Sequence, residues 1–352
     1  MLDIQNEYLY AMYTNKHQKV VHMMDISPDR YYKLLHQQRE AQLLLAVLRL
    51  DLFTHLDHWT SAAELAASAG FPEGQLGLVL EALAAAGFIQ EESGRYRNTA
   101  EAAEYLSRNS RRCIRDALLF RSQMTTLAQL DQLVESGGEP AASEMAYDFA
   151  GLAEAVVPEM YATGRVGAFL REMEKPFPDR AKPLQVLDVG GGSGLLAIEF
   201  VLRYPNSEAV VFEHPGVAGT TRRIITRYGV QKRVKVQEGD FNRDAFQGSY
   251  DLVIASGVLD FAGEFLPDLL GRMRAALAPG GVLLVIGQYS QRESRDSATV
   301  LAWLSGRLAG LPAGPDAGEL ELACRTAGLE LVRQLPNGPF SGYLYTARRD
   351  TP

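Results

Sequence analysis

Cysteine is scarce in this 352-residue chain: only Cys113 and Cys324 occur, and they lie far apart. Two distant cysteines supply neither a disulfide framework nor a zinc-ligand spacing. The expectation is reduced thiols in a cytoplasmic protein, with no metal site. Long apolar runs are missing too. No stretch approaches the roughly 18 apolar residues of a membrane span, so no membrane association is expected. The opening MLDIQNEYLYAMYTNKHQ has no basic region followed by an apolar core, as a secretory leader would. Positive charge is in deficit, with 35 Lys and Arg against 43 Asp and Glu and a net charge of -8. That is the wrong sign for holding nucleic acid through its phosphates. Hydrophobic residues make up 47% of the chain, enough to bury real cores over a length that suits two domains.

Residues 1 to about 30 carry aromatic and polar side chains without a clean period and read as a surface arm. From Arg39, Leu43, Leu44, Val47, Leu48 and Leu52 recur at helical spacing. Ser61 followed by Glu64 reads as a capping box opening a short helix that Gly70 stops. A further helix is expected over Glu73–Ala86, then a small hairpin turning at Ser93-Gly94. Three helices and a hairpin form the winged-helix pattern. Its third helix, QLGLVLEALAAAG, holds Glu81 and no Lys or Arg, so dimerisation is favoured over DNA reading. Residues 101 to about 175 read as helical, with a break at Gly137–Pro140 and candidate interruptions at Pro158 and Gly164. Pro176, Pro178 and Pro183 form a stiff linker. Beyond Lys182, strands expected at Gln185–Val189, Ala209–Glu213, Val234–Glu238, Leu252–Ser256 and Val282–Gln288 alternate with helices, and two more follow near Leu329–Gln334 and Tyr343–Arg348. This is the signature of an α/β fold with a doubly wound, mostly parallel seven-stranded sheet, preceded by an all-helical or winged-helix domain. The expected divisions are 1–110, an arm and winged-helix-like dimerisation domain; 111–178, a helical connector; and 179–352, the α/β domain.

The sharpest motif is LDVGGGSG, Leu187 to Gly194, between a buried strand and a helix. Gly190, Gly192 and Gly194 permit a tight bend and close approach of a ligand. Dinucleotides favour G-x-G-x-x-G, whose longer loop holds a pyrophosphate; here the spacing is G-x-G-x-G. Asp188, two residues before the first glycine, suits a cationic methionyl end better than a diphosphate. Glu213, ending the second strand, can accept from both ribose hydroxyls, although that spacing also suits NAD. Asp240 can accept from an adenine amino group, and Phe241 can pack on the ring.

These residues resemble the class I S-adenosylmethionine (SAM)-dependent methyltransferases. From about residue 35 onward the chain is similar to the plant caffeate-type and bacterial small-molecule O-methyltransferases. The likeness is carried by AELAASAG, LEALAAAGFI, GRYRNT, LDVGGGSG, VVFEHPGV, EGDF and LAPGGVLLVIG. It implies a Rossmann-like SAM domain behind a winged-helix dimerisation domain, a homodimer, S-adenosylhomocysteine as the cofactor product, and a small, aromatic or secondary-metabolite acceptor. It places Gly190, Gly192, Glu213, Asp240 and Phe241 in the SAM pocket, with Ser256 reaching it from the fourth strand. The family layout also makes Phe120, Met124, Met160, Tyr161 and Trp303 candidates for the substrate wall.

One departure stands out. Such enzymes usually carry a general-base His after the fourth strand. The stretch here is SGVLDFAGE, with Asp260 where that His would lie, and the nearest His in sequence is His214. An ordinary Asp, at a pKa of ~3.9, is a weak base for a phenol-like hydroxyl at ~10. Asp260 therefore reads as a base or substrate ligand, or equally as a helix N-cap for the segment starting near Ala262. The acceptor atom stays open among O, N and C. The alternatives are SAM-fold chemistry without methyl transfer, a NAD-dependent oxidoreductase, and a ligand-sensing DNA-binding regulator.

Overall fold

The structure is a computed structural model. It describes residues 27–124, 127–128, 130–135, 148–289, 297–308, 310, 312–335, 338 and 340–348, apart from the side chains of Met124, Leu133 and Thr299. The expected N-terminal arm lies mostly outside the described residues. Two compact units emerge, one from residues up to 52 together with 58–97, the other from 53–57 together with 98 onward.

In the first unit, helix α1 (Asp29–Arg49) buries only Val47 and Leu48. Strand β1 (Thr60–Ser61) leads into α2 (Ala62–Ala69), whose start is fixed by the reciprocal Ser61–Glu64 capping box and whose end is Gly70 in the left-handed region. Helix α3 (Glu73–Ala85) turns Leu76, Leu80 and Leu83 inward. Strands β2 (Ile89–Glu92) and β3 (Arg95–Asn98) close through Ser93 and Gly94, both at positive φ as a tight hairpin requires. β1 completes a three-stranded sheet against β3.

The second unit begins with helices α4 (Ala100–Tyr105), α5 (Arg115–Met124), α6 (Leu130–Glu135), α7 (Phe149–Ala162) and α8 (Arg165–Met173). Pro158 sits inside α7 without ending it, so only the second expected interruption breaks the helix: Gly164, at φ +74°, separates α7 from α8. Strands and helices then alternate: β4 (Gln185–Val189), α9 (Leu195–Arg203), β5 (Glu208–Glu213), α10 (Pro215–Arg227), β6 (Val234–Glu238), β7 (Tyr250–Ser256), α11 (Leu266–Ala275), β8 (Leu277–Ile286), α12 (Ser297–Leu308), α13 (Ala317–Thr326), β9 (Leu329–Gln334) and β10 (Gly342–Ala347). The sheet order is β6-β5-β4-β7-β8-β10-β9, parallel except for β10, which runs antiparallel to both neighbours.

Each central strand is covered on both faces, and its side chains alternate between two cores. Val186, Leu252 and Ile254 join Phe169, Phe200 and Ile224 from α8, α9 and α10. Leu187, Val189, Val253 and Ala255 join Leu269, Met273 and Leu320 from α11 and α13. The chain runs outward from β4 to β6, then returns to the other side of β4 at β7. That reversal opens a crevice at the carboxyl ends of β4 and β7, where such sheets bind ligands.

Candidate active site

A cavity of about 680 Å³ lies at this crevice. Its floor is the bend after β4. Gly190, Gly192 and Gly194 have φ of +60°, +57° and +66°, which L side chains adopt only under strain. A second constraint concerns Gly191, which sequence reasoning missed. A Cβ there would come within 2.7 Å of the Asp188 carboxylate and 2.8 Å of Val211. The bend is tied to its neighbours: Gly190 N–H donates to Phe212 carbonyl at 2.8 Å, and the Thr221 hydroxyl donates to Gly192 carbonyl at 2.6 Å.

Two carboxylates lie beneath it. Glu213, at the end of β5, accepts from the Gly192 N–H at 2.6 Å and the His214 N–H at 2.7 Å. Burial still pushes its pKa up, with those two bonds opposing. Asp188 is almost fully buried, and its Oδ1 has no hydrogen-bond partner. Burial first, then the charge of Glu213, pushes it up to about 7. Two buried acids this close disfavour a diphosphate and favour a cation. Across the cavity, Arg165 stands on the first turn of α8 with a buried Nε that finds no acceptor, and burial lowers its pKa. Beside it Arg121 pairs with Glu159 at 2.9 Å. A ligand bringing both an ammonium and a carboxylate would satisfy the two orphaned groups together.

Of the residues singled out from sequence, Asp188, Gly190, Gly192, Glu213, Asp240, Phe241, Ser256, Asp260, Met160 and Trp303 all line this one cavity. Asp240 accepts from the Asn242 N–H at 2.9 Å, and Arg243 approaches it at 3.6 Å. Four residues behave differently. Gly194 is the N-cap of α9, packed on Val211 and Thr221 rather than on the cavity. Tyr161 is one residue past Met160 on α7, so the helical turn carries it to another face. Its hydroxyl donates to Glu199 and reaches Tyr228 at 3.1 Å. Phe120 packs by the start of α7, where a Cβ on Gly151 would meet its ring at 2.8 Å. The Met124 side chain lies outside the described residues.

Asp260 is not a helix cap. It sits inside a 3-10 turn, Leu259–Phe261, and the next turn, Gly263–Phe265, has no side-chain cap. Burial raises its carboxyl to about 6. The adjacent Phe261 stands edge-on to Phe149 (centroids 5.3 Å apart) and to Trp303 (5.7 Å). The sequence offered little signal for Phe149 and Phe261, because they come from elements more than a hundred residues apart. Arg165 left a faint one: a cation on the first turn of a helix opposes the macrodipole and calls for a reason.

Comparison with known proteins agrees with this geometry. Residues 163–305 match the model of the O-methyltransferase domain. Acetylserotonin O-methyltransferase of Mus musculus is 28% identical over 333 residues, covering 87% of this chain and 85% of that protein. The 8-amino-8-demethylriboflavin N,N-dimethyltransferase of Streptomyces davaonensis is 28% identical over 271 residues, covering 73% and 78%. In fold, human N-acetylserotonin methyltransferase, solved in complex with SAM, superposes with a TM-score of 0.73 at 21% identity, covering 92% of this chain and 99% of that one. Residues 163–305 thus carry the likeness of this chain to the O-methyltransferase domain.

Proposed function

We propose that this chain transfers a methyl group from SAM to a small aromatic acceptor at O, N or C. The observation that carries the reading is the pairing of an orphaned, buried Asp188 with Glu213 beneath the glycine bend. Asp188 faces the positive methionyl end. The Glu213 carboxylate, oriented by two backbone N–H groups, takes the ribose hydroxyls. Asp240 and Phe241 hold the adenine, with Ser256 at the end of β7 beside them. Arg165, with the Arg121–Glu159 pair next to it, takes the cofactor carboxylate. When bound, SAM supplies an activated methyl on a sulfonium. The protein's part is to hold the acceptor in line, exclude water and receive a proton. Met160 and Trp303 belong to the acceptor wall, and Asp260 is the proton-accepting group there.

In this reading residues 1–110 are an arm and winged-helix-like dimerisation domain, 111–178 a helical connector, and 179–352 the methyltransferase domain of a cytoplasmic homodimer in secondary metabolism. The exposed Tyr31, Tyr32, Leu34 and Leu35 of α1 support a face awaiting a second copy. Among the described residues no helix is long and apolar enough to cross a membrane. Saturating SAM is expected to raise the melting temperature while NADH does not. A shift with NADH alone would reverse the assignment. Mass spectrometry for acceptors gaining one methyl separates transfer from a purely structural use of SAM.

A further inference from the structure

This inference rests on the methyl-transfer reading and names the acceptor. Asp260 differs from the other acids that border the cavity. Glu213 and Asp240 accept backbone N–H groups, Glu159 is paired with Arg121, and Asp188 lies below the glycine bend beside the charge of Glu213. No donor among the described residues reaches the Asp260 carboxylate; only burial shifts it. It borders the cavity, and on another side Gly314 packs against it so closely that a Cβ there would lie 2.6 Å from Oδ1. Its neighbour on the same turn, Phe261, meets Phe149 and Trp303 edge-on, so the open carboxylate adjoins an aromatic wall.

Two other groups fail as bases. His214 accepts the Gly216 N–H on Nδ1 at 3.2 Å, so its neutral ring carries the proton on Nε2 and has no lone pair free there. The Tyr289 hydroxyl is buried without a partner and held protonated by its surroundings.

We propose that the methyl acceptor is the amino nitrogen of a planar aromatic amine, its ring against Phe149, Phe261 and Trp303 and one N–H on the Asp260 carboxylate. The nitrogen lone pair forms the new N–C bond. The C–S bond of the sulfonium breaks with its electron pair going to sulfur. The displaced N–H proton passes to Asp260. An arylamine attacks from its neutral form, and the N-methylarylammonium first formed is about as acidic as a carboxylic acid. The proton transfer to Asp260 is therefore nearly level. A phenol near ~10 must give up its proton to the same group, which burial holds at about 6, a step uphill by about 10⁴ in equilibrium. Asp260 thus selects nitrogen over a phenolic oxygen.

The test uses the full chain with SAM and two matched probes near neutral pH, α-naphthylamine and α-naphthol. Products are read by mass spectrometry and NMR. The amine is expected to gain its methyl on nitrogen, with kcat/KM at least about ten-fold above that for the naphthol. Asp260→Asn should lower kcat on the amine about ten-fold or more, leaving KM and the thermal shift with SAM nearly unchanged. Should that variant not fold, the wild-type ratio decides. Comparable or faster methylation of the naphthol overturns the assignment of nitrogen. So does methylation of neither probe while SAM still raises the melting temperature. Both of these leave the methyl-transfer reading standing, whereas absence of any SAM shift removes both.

Discussion

At the scale of single residues, the bend after β4 separates two ways in which glycine is required. Gly192 needs its φ of +57°, but a Cβ there would touch nothing closer than Ala153 at 3.8 Å. Gly191 has no such φ, yet a Cβ would collide with Asp188 and Val211. Gly191→Ala is therefore expected to cost about 1–3 kcal/mol of stability by overpacking, and to weaken SAM by displacing Asp188. Chemical denaturation and calorimetric titration of the variant check both; an unchanged SAM affinity would detach Asp188 from the cofactor. Glu213→Gln keeps the side-chain shape while removing the charge and one acceptor. A charge-assisted hydrogen bond is worth about 1.5–3 kcal/mol, so the SAM Kd should rise roughly ten- to hundred-fold. The first kind of glycine was legible in sequence, because a G-x-G-x-G run after an apolar strand signals positive φ. The second was not, because its reason lies in packing against β5.

At the scale of elements, α7 carries much of the cavity wall, with Phe149, Leu152, Val156 and Met160 on it. Its other face is pinned to the sheet domain. Tyr161 reaches Glu199 of α9 and Tyr228 after α10, and Glu154 pairs with Arg227. Helical periodicity alone could place Met160 and Tyr161 near one another but could not say which faced a ligand; that depends on where α9 and α10 stand. The inner strands β4, β5 and β7 were readable to within two residues because both faces are buried and their runs are continuous, whereas β8 begins at Leu277, ahead of the expected Val282. The aromatic wall was not, because Phe149, Phe261 and Trp303 converge only in the folded chain. Tyr161→Phe leaves Glu199 without its donor and should lower stability by about 1–3 kcal/mol. It should also raise the acceptor KM more than the SAM Kd. Urea unfolding with steady-state kinetics reads the two effects, and a change confined to SAM would place the Tyr161 pin at the cofactor instead.

At the scale of the whole molecule, the proposed role of Asp188 links pH to cofactor binding. Its folded pKa of about 7 stands above the ordinary 3.8. Between these values the unfolded chain has lost the proton that the folded chain keeps. Stability from this group is therefore complete below about pH 4, falls as pH rises toward 7, and is level beyond that. Glu213 is raised in the same direction. A cation at the site reverses the penalty, because it lets Asp188 ionise at low cost. SAM keeps its sulfonium at every pH, and its α-amino group, near ~7.7–8, is still mostly charged at about pH 7.5. The melting-temperature rise given by saturating SAM should therefore be larger at about pH 7.5 than at about pH 5.5. Asp188→Asn should flatten that difference, since the amide has no proton to lose. Differential scanning calorimetry of both proteins at the two pH values measures it. A SAM shift that is the same at both pH values in the wild type would mean that the buried acid does not face the cofactor's positive charge.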